Sequence, residues 1–468
     1  MSVWICLWVV LGGAPGLAPR LQEPDLPVDL RGALASYFKK ASLPQNRKGR
    51  DESFGSIEAS FRRYAFEVGA GSIQGLLRDP DKISTVVQSW PYWDQTPSGG
   101  HLFEDTYIRN GEEWSYYLHL PTRYRAGVDR PPLIVDLWGG EDPLAYFQEF
   151  WEGDPLLEEV VLLLPPKFSG QKLIPAPLQW QTFAFDGLHW VMQDLTIPVS
   201  LWSTTLLGVP MVSTRYLPLR LPTISEWSGP DWEPLEAISQ FFWDRFSVDE
   251  ERIFLSARGE LAPDAARLAA QYKDFFAGLI LFNGPVVETH FAPNLERMGI
   301  YAPEGCPLVE AVEKRGGRVS RGGDLSHWIA ETRVELYPDA FEVVVPHPSW
   351  GDAWWVKVYD MEPVREAKLT SARVPEDLPG LRVELDRSRN AVILEQRRVR
   401  VLRVRLNDTM LDLSRPVRVL LRDGSSRGQE RTLAAATVMR SLPFALENVF
   451  LFGERRRIFV NDLWVFIP

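Results

Sequence analysis

The stretch from Ser247 to Gly284 limits what this 468-residue chain can fold into more than any other part of it. It enters the apolar run Arg252-Ile253-Phe254-Leu255-Ser256, crosses Ala257-Arg258-Gly259-Glu260-Leu261, and reaches a second apolar run at Leu279-Ile280-Leu281-Phe282. Neither run alternates apolar with polar residues. Each therefore predicts a strand covered on both faces, as in a parallel sheet. The intervening segment, about Asp264 to Tyr272, reads as a helix. Strand, tight turn, helix and strand together predict an α/β fold. Asp249 and Arg252 are expected to pair at the entrance of the first strand.

A strand that turns sharply into a helix is where α/β-hydrolases carry their nucleophile, in a Gly-x-Ser-x-Gly elbow. The stretch resembles the elbow of secreted esterases, dienelactone hydrolases and prolyl-oligopeptidase-like hydrolases, which read Val-Asp-x-x-Arg-Ile-x-Leu-Ser-Gly-His-Ser-Met-Gly-Gly and end in Phe-Ala-Gly-Leu-Ile. On that pattern Ala257, Arg258, Gly259, Glu260 and Leu261 fall on Gly-His-Ser-Met-Gly, so the nucleophile position holds Gly259. A second resemblance lies upstream. Tyr117-Leu118-His119-Leu120-Pro121, with Tyr124 beyond, leads to Leu133-Ile134-Val135-Asp136-Leu137 and then Trp138-Gly139-Gly140-Glu141. In the family the corresponding strand runs into His-Gly-Gly-Gly, whose backbone N–H helps form the oxyanion hole. Here Trp138 replaces the His, and Glu141 brings negative charge where an oxyanion would need stabilising.

Around this centre the chain divides into expected regions. Residues 1–18 are a candidate secretory signal: the apolar run Val3–Leu11 precedes small residues, although no Lys or Arg comes before it. Residues 19–100 are expected to be a helical N-terminal region. Its Gly-rich piece Gly69–Gly75 lacks the Lys-Ser/Thr ending of a phosphate loop. Residues 101–338 are expected to form the α/β-hydrolase-like domain. It would begin with a hairpin, Thr106–Ile108 and Trp114–Leu120, turning at Asn110-Gly111, and residues 156–165 read as a further buried strand. A Pro- and Trp-rich insertion spans 166–234, and a helix is expected over Glu233–Phe246. The insertion fits either a stacking platform for sugars and aromatic ligands or packing on the sheet. Residues 339–468 alternate in strand fashion and predict an all-β domain, a β-sandwich that resembles the C-terminal domain of some exported hydrolases, notably over Leu406–Val417. From residue 364 onward the chain carries 20 Arg and Lys against 13 Asp and Glu, although the whole chain has a net charge of −11.

Composition removes several functions. A net charge of −11 argues against general nucleic-acid binding. No stretch has the roughly 18 continuous apolar residues that a membrane span needs. Cys6 and Cys306 are the only cysteines, so loss of the N-terminal run would leave no internal disulfide. There are six His, no His-Glu-x-x-His and no Cys pair, so neither a metal site nor a cofactor is expected. Exported localisation, periplasmic or extracellular, is expected, with the cytoplasm as the alternative.

After Gly284 the resemblance implies three more strands, an acid on one loop and a catalytic His on another. His327 is the only His near that place, yet Leu325-Ser326-His327-Trp328-Ile329 fits an amphipathic last helix better. Ser256 is the remaining candidate nucleophile, at the strand end with its side chain expected to point away from the elbow tip. Acyl transfer needs a nucleophile, a base within reach and an oxyanion hole. The expected function is therefore that of a catalytically inactive hydrolase-like protein with a binding or structural role. Two alternatives stay open: an active carboxylesterase or peptidase with an unconventional nucleophile, and a carbohydrate or cell-surface binding protein using exposed Trp. The ligand could be a small molecule, a glycan or a protein.

Overall fold

The computed structural model describes residues 28–41, 47–88, 98–109, 112–125, 128–165, 246–284, 286–346, 350–362, 378–422, 429–446 and 456–467, with short strand pairings inside 179–223. The candidate signal at 1–18, the hairpin tip Asn110-Gly111, the expected helix up to Arg245 and most of the Pro/Trp-rich insertion lie outside the described residues. No helix among the described residues is long and apolar enough to cross a membrane.

An eight-stranded sheet organises the centre of the chain. Its strands are β1 (Leu102–Arg109), β2 (Glu112–His119), β3 (Leu133–Leu137), β4 (Val161–Leu164), β5 (Ile253–Ala257), β6 (Gly278–Leu281), β7 (Gly299–Tyr301) and β8 (Val319–Ser320). They lie in the order β1-β2-β4-β3-β5-β6-β7-β8. β2 runs antiparallel to both its neighbours, and every pairing from β4 to β8 is parallel. In this sheet only two strands follow β6 among the described residues, not the three expected. The strand read at 156–165 is shorter than expected because Asp154 caps Leu156 N–H and Pro155 starts a 3-10 turn, Pro155–Glu158, leaving Val161–Leu164 extended.

The apolar runs become strands because both faces are covered. β3, β4, β5 and β6 are buried at every residue. On one face Ile134, Leu162, Phe254 and Ile280 pack with Tyr146, Phe147 and Trp151 from helix α5 (Pro143–Phe150) and its end, and with Trp328 and Ile329. On the other, Leu133, Val135, Leu255 and Leu279 meet the Ala-rich flank of helix α6 (Ala262–Gln271). Alternation of side chains across the pleat sends neighbours in one strand to opposite layers. At the entrance of β5 the expected pair forms, Arg252 Nε reaching Asp249 at 2.6 Å.

Four helices precede the sheet, Val28–Ala41, Arg47–Glu67, Ile73–Leu76 and Pro80–Gln88, and bury Leu30, Leu34, Ile57, Phe61 and Val86 against the common core. Beyond Pro338 the chain builds two further sheets. β9 (Ala340–Val344), β12 (Gly380–Asp386), β13 (Ala391–Arg397), β15 (Val417–Arg422) and β16 (Glu430–Ala436) form one in that order, with β13 and β15 parallel. β10 (Asp352–Ala353), β11 (Val356–Met361), β14 (Val399–Leu406) and β17 (Asn461–Phe466) form the other, antiparallel throughout.

This β region is fastened to the central sheet by buried polar bonds. Asn294 donates to the carbonyls of Ala270 and Val344, each at 3.0 Å, and accepts from Val344 N–H. Lys273 Nζ donates to the Trp350 carbonyl at 2.8 Å, and burial pushes its ammonium down to about 8. Asp274 accepts from Arg457 at 2.7 Å and from Trp354 N–H at 2.9 Å. Satisfied polar groups of this kind permit burial that unpaired ones would oppose.

Candidate functional site

The tight turn after β5 is built almost entirely by backbone. Arg258 is still extended, with φ −126°, and Gly259 then turns to φ +57°. A 3-10 turn over Gly259–Leu261 delivers the chain to α6, which starts at Ala262, two residues before the sequence expectation, because Pro263 is preset for a first helical turn. Two neighbours fix the tip. Gly259 N–H donates to Asn283 Oδ1. Gly284, itself at φ +100°, lies so close that a Cβ there would sit 2.2 Å from the Gly259 carbonyl oxygen. A Cβ on Gly259 would meet only Asn283 Oδ1, at 3.9 Å. The tip thus has room for a side chain and carries none.

Beneath the tip lies a buried polar network. Asp136, the fourth residue of β3, pairs in register with Ser256 of β5 and is fully buried. It accepts from Ser256 Oγ, from the Tyr146 hydroxyl at 2.9 Å and from Trp151 Nε1 at 2.7 Å. Burial pushes its carboxyl upward, against the pull of those donors and of the Arg258 charge. Burial and the Asp136 charge hold the Tyr146 hydroxyl well above its ordinary range, so it stays a donor. Arg258 lies over the Phe282 ring at 3.6 Å, with Phe150 and Trp151 at 4.8 and 5.3 Å.

A cleft of about 640 Å³ opens between the turn, the loop after β3 and α5. Gly139, Gly140 and Glu141 line it, facing Arg258, Gly259, Glu260, Leu261 and Asn283 across it. Tyr146, Glu149 and Phe150 form the α5 side. Trp138 is 5% exposed and donates from Nε1 to the Pro165 carbonyl at 2.6 Å, so it belongs to the core rather than to the lining. Ala257 closes β5, fully buried.

The candidate nucleophile and base do not meet at this cleft. Ser256 is fully buried, with its hydroxyl directed to Asp136. His327 lies on the last helix of the central region, α9 (Leu325–Glu331), with its side chain 67% exposed and Nε2 at 3.4 Å from Glu331. His119 is buried against Phe147 and His290 beside Phe291, and burial lowers the pKa of both. No Ser, Thr, Cys, Lys or His lines the cleft among the described residues. No group of three or more His, Cys, Asp and Glu among them could hold a metal ion. Asp136, Tyr146, Glu149 and Asn283 did not stand out in the sequence. A lone Asp inside Leu-Ile-Val-Asp-Leu is the one signal that pointed to the network, since a carboxylate in a doubly buried strand needs donors.

The strand order and the elbow define an α/β-hydrolase-like fold. No family model matches the chain, and no curated protein matches it in sequence. Among solved structures, a thermostable esterase aligns at 17% identity over 49% of this chain and 59% of its own, with a TM-score of 0.27. A ferulic acid esterase aligns at 11% identity over 49% of this chain and 94% of its own, with a TM-score of 0.29. An S-formylglutathione hydrolase from Agrobacterium tumefaciens aligns at 14% identity over 51% and 83%, with a TM-score of 0.26. The aligned part spans less than two thirds of the thermostable esterase. Nothing about activity follows from likenesses at this level.

Proposed function

We propose that the chain is a catalytically inactive α/β-hydrolase-like protein whose cleft serves binding. The observation that carries this reading is the composition of the cleft: the elbow turn has Gly259 at its tip, and no described lining residue is a Ser, Thr, Cys or Lys nucleophile or an imidazole base. Covalent acyl transfer needs both, held within hydrogen-bond reach of each other. The reading is also supported by charge. Glu141 and Glu260 both line the cleft, and an oxyanion is stabilised by donors and positive charge, not by carboxylates. Ser256, the alternative nucleophile, is fully buried and its hydroxyl is committed to Asp136. The Trp-rich insertion that motivated the glycan reading lies outside the residues whose side chains are described.

The test is a fluorophosphonate probe applied together with a panel of short-chain nitrophenyl esters. The expected outcome is no covalent labelling and ester turnover no faster than with a heat-unfolded control. Labelling that disappears in Ser256→Ala would sink the proposal.

A further inference from the structure

We propose that Asn283 is a self-modification site, where the chain cyclises its own side-chain amide to a succinimide that water opens to aspartate or isoaspartate. This goes beyond the binding role above and does not depend on it. In an Asn-Gly pair the next main-chain nitrogen reaches the side-chain carbonyl most easily, because glycine places no Cβ beside that nitrogen and adopts backbone angles that other residues avoid. Asn283-Gly284 is such a pair, and Gly284 sits at φ +100°. Asn283 is exposed and lines the cleft, so water reaches it. Its Oδ1 accepts from Gly259 N–H, the amide at the tip of the elbow. Neither Gly284 N–H nor Asn283 Nδ2 donates to any described residue. The attacking nitrogen and the leaving group are thus free, while the oxygen between them is held.

The reaction needs only the chain and water. Gly284 nitrogen gives its proton to solvent and bonds to Asn283 Cγ, and the carbonyl electron pair moves onto Oδ1. The tetrahedral carbon then expels Nδ2, which leaves as ammonia. Gly259 N–H points at the oxygen on which negative charge develops, the part a backbone donor plays in an oxyanion hole. Water finally splits one imide C–N bond. Splitting at Cγ restores the main chain with an aspartate at position 283, and splitting at the main-chain carbonyl carbon leaves isoaspartate, with one more carbon in the main chain. A Cβ on Gly284 would already lie 2.2 Å from the Gly259 carbonyl oxygen, so the longer main chain must shift this wall of the cleft.

Mass spectrometry of the tryptic peptide 274–297 tests this, after the full chain has stood folded at mildly alkaline pH beside a synthetic peptide of the same sequence. The same fragment holds a control, Asn294, which is fully buried, donates its amide to two carbonyls and is followed by Leu295. The expected result is an amide-to-acid mass gain at Asn283 and none at Asn294, about tenfold faster in the folded chain than in the synthetic peptide. Fragmentation should show isoaspartate as well as aspartate, and the rate should rise with pH because the attacking nitrogen must lose its proton. Asn283→Gln, whose ring would be six-membered, should abolish the gain. A folded chain that reacts no faster than the peptide, aspartate without isoaspartate, or a gain that survives Asn283→Gln would overturn the proposal.

Discussion

Two buried carboxylates of this chain, Asp274 and Asp136, serve different ends because of where their arginines sit. Asp274 accepts directly from Arg457 and from Trp354 N–H, and Arg457 also donates to the Trp354 carbonyl at 3.1 Å, so charge and donors close on one another between the central sheet and the β region. Asp136 is held by three neutral donors, with the Arg258 charge acting on it at longer range. Arg258 is instead held by rings at the cleft. The first arrangement fastens. The second keeps a polar cleft floor rigid while leaving a charged side chain beside ligand space.

Removing one partner of the closed pair should have the largest effect. Asp274→Ala leaves Arg457 buried without its carboxylate, which costs about 3–5 kcal/mol. Urea denaturation should show the loss as a lower midpoint. A loss below about 1 kcal/mol would mean that the junction is wet and the contrast with Asp136 false.

A smaller effect, with a pH signature, is expected at Asp136. Its folded-state carboxyl titrates above the unfolded value near 3.9, so the folded state binds more protons over that window. The group's contribution is then fully present below about pH 3.9 and is lost as pH rises through the folded value. Asp136→Asn, which cannot ionise, should cost about 1–2 kcal/mol near pH 4, and its deficit should narrow toward pH 7. A deficit that widens with pH would show that Asp136 titrates low, as a carboxylate paired with Arg258 would.

The smallest effect is expected at Gly259. Gly259→Ser has room for its side chain and incurs only the left-handed backbone cost, about 1 kcal/mol. Gly284→Ala adds a clash with the Gly259 carbonyl and should cost about 1–3 kcal/mol more. Thermal melts of the pair give the ordering. Gly259→Ser should still show no esterase activity, since restoring an oxygen supplies neither the base nor the hole.

What could be read from the sequence follows from how locally it was specified. The elbow was legible because doubly buried strands must be apolar throughout, and the β region because its strands carry their own pattern. Boundaries moved where a cap or a proline intervened, by five residues after Asp154-Pro155 and by two at Pro263. The cleft was legible only in part. Gly259, Gly139, Gly140, Glu141 and Glu260 were already singled out, since each follows a recognisable strand. Asp136, Tyr146, Trp151 and Ser256 meet only because β3 and β5 pair in parallel register and α5 folds back over them, which no local spacing announces. Asn283 is a further case, 24 residues from the N–H that it holds.

The contact between Gly284 and the Gly259 carbonyl has a practical reach. The turn keeps its shape through backbone and an amide, independent of any side chain at its tip. Position 259 is therefore an addressable site: a cysteine there would present a thiol at the cleft, whereas the native Cys306 is buried. A fluorophore or spin label at that point would report directly on whatever enters.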